Sequence, residues 1–131
     1  MKQLFSPKWI VSAVLLGILM VSMLGCQADE PTSVKIGLLS PETGPIAQFA
    51  PGFSDAANVA IAELNETHAG DFTFELIIAD TGCDGTKAAT SAQTLVDSGV
   101  LAIVGAACSG ATQGAIAVAA PAGVPMVSYA S

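Results

Sequence analysis

Apolar residues along this chain fall into short blocks whose spacing switches repeatedly between that of a strand and that of a helix. Residues 34–39 form an apolar run carrying one lysine, and Ser40, Pro41, Gly44 and Pro45 end it as a turn, which predicts a buried strand. Phe53, Ala56, Ala57, Ala60, Ile61 and Leu64 then recur at helical spacing opposite Asp55, Asn58, Glu63 and Glu66, and residues 65–70 close that helix. Over residues 72–79 the pattern alternates, with Phe72, Phe74, Leu76 and Ile78 on one face and Thr73, Glu75, Ile77 and Ala79 on the other. From Asp84, a residue type suited to capping, Ala88, Ala92, Leu95 and Val96 make an apolar stripe opposite Lys87, Ser91, Thr94 and Asp97, and Gly99 ends it. A continuous apolar strand at 100–104, an alanine-rich helix at 109–120 capped by Ser109, and a strand at 124–128 complete the pattern.

Strand and helix therefore alternate three times before a last strand, and no two strands are close enough for a hairpin. That spacing belongs to right-handed crossovers on a parallel sheet. The nearly continuous apolar character of the strands fits a sheet covered on both faces. The sequence predicts an α/β fold: a doubly wound parallel sheet with helices on both faces. Ser131 falls directly after the fourth strand, where a fold of this kind continues, so residues 34–131 are expected to form only part of a lobe.

Composition narrows the function. All 11 acidic residues lie at or beyond Asp29, against two lysines there, Lys35 and Lys87, which argues against nucleic acid or another polyanion as partner. Lys2 and Lys8 precede fifteen uncharged, mostly apolar residues at 10–24, the pattern of a secretory leader. A membrane span needs about 20 apolar residues, so an uncleaved anchor is the weaker reading. The run Met23, Leu24, Gly25, Cys26 resembles a bacterial lipobox, whose cysteine becomes the lipidated first residue of the mature protein. The expected organisation is a lipoprotein signal peptide at 1–25, a tether at 26–33 and the partial lobe at 34–131, with the protein in the periplasm or at the cell surface and held to the membrane through lipid at Cys26.

In open α/β sheets ligands bind beyond the carboxyl ends of the strands, where strand order reverses. For the common order 2-1-3-4 that point lies between the first and third strands, at the loops 40–49 and 106–110. Ser109 opens the third helix, so free N–H groups at Gly110 and Ala111 and the helix dipole suit one carboxylate or similar small anion. The alternative is that Ser109 only caps its own helix. Residues 105–110 have the spacing of a phosphate loop, but Ala111 and Thr112 stand where it needs Lys and Ser/Thr. A nucleophile elbow around Ser109 needs glycines where Ala107 and Ala111 stand. The lone His68 reads as a solvated surface residue, and the cysteines lack paired metal-ligand spacing, so neither metal nor cofactor is expected. In an exported protein Cys83 and Cys108, each following a predicted strand, read as a disulfide, with two buried thiols as the alternative.

Three stretches together resemble the periplasmic binding proteins for leucine, isoleucine and valine, which feed ATP-driven importers. VKIGLLSPETGPIAQF at 34–49 is similar to the family's first strand and ligand loop; DTGCD at 80–84 and ACSGATQ at 107–113 to its two disulfide-bearing turns; and GVPMVSYAS at 123–131 to its fourth strand and ligand-contacting turn. The resemblance implies a clam-like receptor whose first lobe is represented here. It implies that Ser109 and Gly110 receive the ligand's α-carboxylate and that Ala130 and Ser131 meet its carboxylate or ammonium. Phe49 stands where the family often has Tyr, so it implies a contact without a hydroxyl, against the plainer reading of Phe49 as a core or hinge-side aromatic. It further implies a small amino acid or related carboxylate as ligand, the permease subunits of an ABC importer as partner, and no enzymatic activity. A ligand-sensing ectodomain of a signalling receptor is the alternative, and a hydrolase using Ser109 or Cys108 the more distant one.

Overall fold

The computed structural model describes residues 30–130. The leader, Cys26 and Ser131 lie outside the described residues. Strand β1 spans Thr32–Ser40, helix α1 Ala50–Thr67, β2 Phe72–Asp80, helix α2 Gly85–Asp97, β3 Ala102–Val104, helix α3 Ser109–Ala119 and β4 Met126–Val127. One 3-10 turn, Ala47–Phe49, leads into α1.

All strand pairs are parallel, and the sheet order is β2-β1-β3-β4. From β1 the chain moves one way to β2, then returns past β1 to β3 and on to β4. Right-handed crossovers therefore put α1 on one face and both α2 and α3 on the other. The reversal falls between β1 and β3, as the sequence predicts.

The face under α2 and α3 is the core. Leu39 of β1 and Ile103 of β3 are buried against Ala88, Ala92 and Leu95 of α2 and Ala111, Ala115 and Ala119 of α3, with Ile77, Ala79 and Met126 packed beside them. The alanines bring the helix axes close, and glycines allow the closest approaches between the helices and between α2 and the sheet. A Cβ on Gly114 would collide with the carbonyl oxygen of Gly85, and one on Gly37 would lie 2.8 Å from Leu95. Sequence periodicity finds this face because every third or fourth residue of α2 and α3 is both apolar and covered.

The opposite face is thinner. Leu38 is buried, but Ile78 beside it in register is 42% exposed, and Val104 and Val127 are 37% and 68% exposed. On α1 only Ala50 is buried; Phe53, Ala57 and Ile61 are half-buried, while Ala56, Ala60 and Leu64 of the predicted stripe are exposed. The helical spacing is right, and the burial falls short because α1 has only β1 and β2 beneath it. Asn65, at the end of α1, pairs with the open edge of β2: its amide donates to the Phe74 carbonyl at 3.0 Å and accepts from the Phe74 N–H at 2.7 Å. His68 is exposed as expected, and also rests edge-on against Phe72.

The first strand runs longer than the predicted 34–39 and the fourth shorter than the predicted 124–128, and two further differences have a local cause. Strand β3 begins at Ala102 because Val100 still closes the end of α2, its N–H bonding the Leu95 carbonyl. The serine cap is a correction: Cys108, not Ser109, is the N-cap of α3, and no side chain caps that helix.

Candidate functional site

Four segments meet at the carboxyl edge of the sheet, and each is held by a different chemistry. The loop after β1 is held by Asp80, the last residue of β2. Asp80 Oδ1 accepts from the backbone N–H groups of Thr43 at 3.1 Å and Gly82 at 2.9 Å. Oδ2 accepts from the Thr43 hydroxyl at 2.7 Å and from Lys87 Nζ at 2.5 Å, and Lys87 Nζ also donates to Thr43 Oγ1 at 2.9 Å. Desolvation works to raise the Asp80 pKa, but hydrogen bonds from Lys87, Thr43 and Gly82 outweigh it and hold the carboxyl far below the ordinary range. Beside this cluster Gly44, at φ 93°, lies so close to the Gly82 carbonyl that no side chain fits.

Cys83 and Cys108 form a disulfide, with their Cα atoms 5.4 Å apart. Two strand spacings, about 9.5 Å, separate β2 from β3, so the pairing calls for a lean across β1. The helices supply it. Both cysteine turns leave the sheet on the α2/α3 side, and the glycine contact between Gly85 and Gly114 draws the two helix starts together.

Cys108 therefore enters α3 as its N-cap with its sulfur already committed, and it offers the helix no acceptor. The N–H groups of Ser109 and Gly110, both exposed, have no acceptor among the described residues, and the Ser109 hydroxyl has no partner there either, while Ala111 behind them is buried in the core. This is the arrangement that attracts a carboxylate: free donors and the positive end of a helix dipole, facing solvent.

The turn after β4 is pinned across the ends of β3 and β1. Ser128 Oγ donates to the Ala106 carbonyl at 2.9 Å, and the Ala130 N–H reaches Ser128 Oγ at 3.4 Å. Tyr129 donates its hydroxyl to the Leu39 carbonyl at 3.0 Å, and its ring lies 4.7 Å from that of Phe53. Burial, helped by the charge of Glu42, pushes the Tyr129 pKa up to about 12, so the hydroxyl stays a donor at neutral pH.

The predicted site residues thus share one edge of three adjacent strands: Phe49 after β1, Ser109 and Gly110 after β3, Ala130 after β4. Phe49 is 56% exposed, which removes the reading of it as a core aromatic. Sequence reasoning singled out neither Asp80 nor Tyr129. The partners that join them to another segment, Thr43 and Leu39, lie 37 and 90 residues away, and the local signal was an Asp beside Thr-Gly at a strand end. The disulfide also removes Cys108 as a nucleophile, because a bonded sulfur carries no thiolate.

Residues 33–131 match the periplasmic binding protein family. A leucine-, isoleucine-, valine-, threonine- and alanine-binding protein of Pseudomonas aeruginosa is 34% identical over 96 residues, covering 72% of this chain and 26% of that protein. The branched-chain amino acid transporter substrate binding protein LivJ of Streptococcus pneumoniae, solved with isoleucine, superposes with a TM-score of 0.69 at 34% identity, covering 76% of this chain and 29% of that one. A solute binding protein of an ABC transporter from Rhodopseudomonas palustris, solved with 3,4-dihydroxybenzoic acid, superposes with a TM-score of 0.66 at 28% identity over 75% of this chain and 27% of its own. The chain spans about a quarter of the length of the curated relatives it matches.

Proposed function

We propose, from the premise that this chain belongs to the periplasmic binding proteins, that it supplies the carboxylate-binding side of a solute receptor serving an ABC importer. The observation that carries this reading is the uncapped N-terminus of α3 at the reversal of strand order, with Ser109 exposed beside it. The ligand is a small amino acid, branched-chain by similarity to the Pseudomonas and Streptococcus proteins, or a related carboxylate; the dihydroxybenzoate complex shares the carboxylate and lacks the ammonium. Ser109 and Gly110 take the carboxylate, Ala130 and Ser131 offer groups to the carboxylate or ammonium, and Phe49 contributes apolar contact. The role is binding and delivery rather than catalysis. Permease subunits of the importer are the partners.

One lobe cannot enclose a ligand, and small-molecule sites normally bury about 70–90% of a ligand's surface. Dipole and hydroxyl contacts of about 1–2 kcal/mol each leave only millimolar affinity. Calorimetry should therefore find leucine, isoleucine and valine binding weaker than about 1 mM to this chain, and micromolar or tighter to a version carrying a second lobe. Micromolar binding by this chain would refute the two-lobe reading.

The export reading adds residues 1–25 as a lipoprotein signal peptide, 26–33 as a tether and lipid at Cys26, placing the receptor at the outer side of a membrane. It is supported by the charged start, the apolar run and the residues before Cys26. Labelled fatty acid should enter the wild-type protein and be lost in Cys26→Ala; equal labelling of both would exclude it.

A further inference from the structure

Asp80 ends β2, one strand away from the reversal point, so it is not placed to touch a ligand there. Its carboxylate nevertheless gathers donors from three segments. Thr43 gives it a backbone N–H and a hydroxyl from the loop after β1, Gly82 a backbone N–H from the turn beyond β2, and Lys87 its ammonium from the first turn of α2. The Lys87 side chain is 46% exposed, so the ion pair alone contributes little. The geometric content lies in the Thr43 N–H and hydroxyl, which tie the loop to both carboxylate oxygens, and in the Gly82 N–H, which fixes the carboxylate within its own turn. The turn that receives the loop is not free to drift, since Cys83 within it is bonded to Cys108, the residue before Ser109.

We propose that Asp80 is the positioning residue of the ligand site: its carboxylate holds the Thr43 loop, and through it Phe49, against a turn that the disulfide fixes to the start of α3. Both walls of the site are thereby referred to one turn, Asp80 to Asp84, that carries no ligand contact. This rests on the ligand-binding reading above.

Amide hydrogen exchange on the full chain tests it without any ligand. In Asp80→Ala the Thr43 and Gly82 N–H groups lose their acceptor, together with the Thr43 hydroxyl and Lys87. The Thr43 and Gly82 amides should exchange at least tenfold faster, and Ala47 and Phe49 several-fold faster. Ile103 and Thr112 should stay within twofold. Asp84→Ala is the control, because it removes a hydrogen bond from the same turn without touching the clamp; it should speed Lys87 and leave Thr43 unchanged. An unchanged Thr43 in Asp80→Ala, or an equal rise in Asp84→Ala, would overturn the proposal. Titration with L-isoleucine adds the second arm: the ligand-induced response at Phe49 should fall at least fivefold in Asp80→Ala while that at Gly110 persists. A Phe49 response equal to wild type would also overturn it. No response anywhere in the wild type would instead remove the ligand-binding premise, and with it the positioning role, while the exchange result still decides whether Asp80 holds the loop.

Discussion

Helices α2 and α3 start side by side and with nearly the same backbone. Their N-cap residues have φ and ψ of −111° and 133° at Asp84 and −112° and 132° at Cys108. The two capping side chains are used differently. Asp84 turns its carboxylate onto the Lys87 N–H at 2.8 Å, so α2 satisfies one of its own donors and offsets its own dipole. Cys108 gives its side chain to Cys83, and α3 is left open. Two positive helix ends thus lie together, and only one is neutralised from within. A helix start becomes a receptor when its capping residue is occupied elsewhere.

The strongest way to break the comparison is to remove the bridge. Cys83→Ser with Cys108→Ser frees position 108 to cap α3 and releases a loop closed over a separation of 25 residues. Urea unfolding should show a loss of about 3 kcal/mol on the loop-entropy account. A loss below about 1 kcal/mol would mean that the glycine seam alone holds the helix starts together.

Gly114→Ala attacks that seam. Its Cβ would meet the Gly85 carbonyl oxygen, a backbone atom that cannot swing aside, so about 2 kcal/mol of stability should be lost despite alanine's better helix propensity. Gly110→Ala, with no atom within 4 Å of its Cβ, should be tolerated in the same assay.

Asp84→Ala makes α2 resemble α3. It should cost about 1 kcal/mol, the ordinary value of an N-cap. If α2 then also gathers small carboxylates, the cap was what kept it from binding.

The smallest effect appears only at high pH. The Tyr129 pKa is raised from 10.0 to about 12, so the folded state keeps a proton that the unfolded chain gives up. Its stability contribution is complete below pH 10 and declines between pH 10 and 12. Tyr129→Phe should lack that decline, and identical alkaline curves would show that burial of the Tyr129 hydroxyl beside Glu42 does not govern it.

Much of the fold was readable in the chain because burial follows periodicity. The α2 stripe of Ala88, Ala92 and Leu95 and the parallel strands came from local pattern, the reversal point from the common strand order of such sheets, and the cysteine pair from compartment and count. Where burial depends on what else covers an element, pattern overreached: Ala56, Ala60 and Leu64 keep helical spacing on α1 yet stay exposed. Contacts between distant segments left no local trace. Nothing near Asp80 announces Thr43, and nothing near Tyr129 announces Leu39. The cap of α3 was misplaced by one residue because serine is the better capper, and only the structure shows the helix beginning after a cysteine that cannot cap.

The most direct test of the central claim tracks backbone amide shifts at both helix starts while L-isoleucine is added, with isoleucinamide as the ligand lacking a carboxylate. The account predicts that Ser109 and Gly110 shift with isoleucine in the millimolar range, that isoleucinamide leaves them in place, and that Thr86 and Lys87 of α2 respond to neither. Equal shifts at both helix starts, or equal shifts with both ligands, would contradict it.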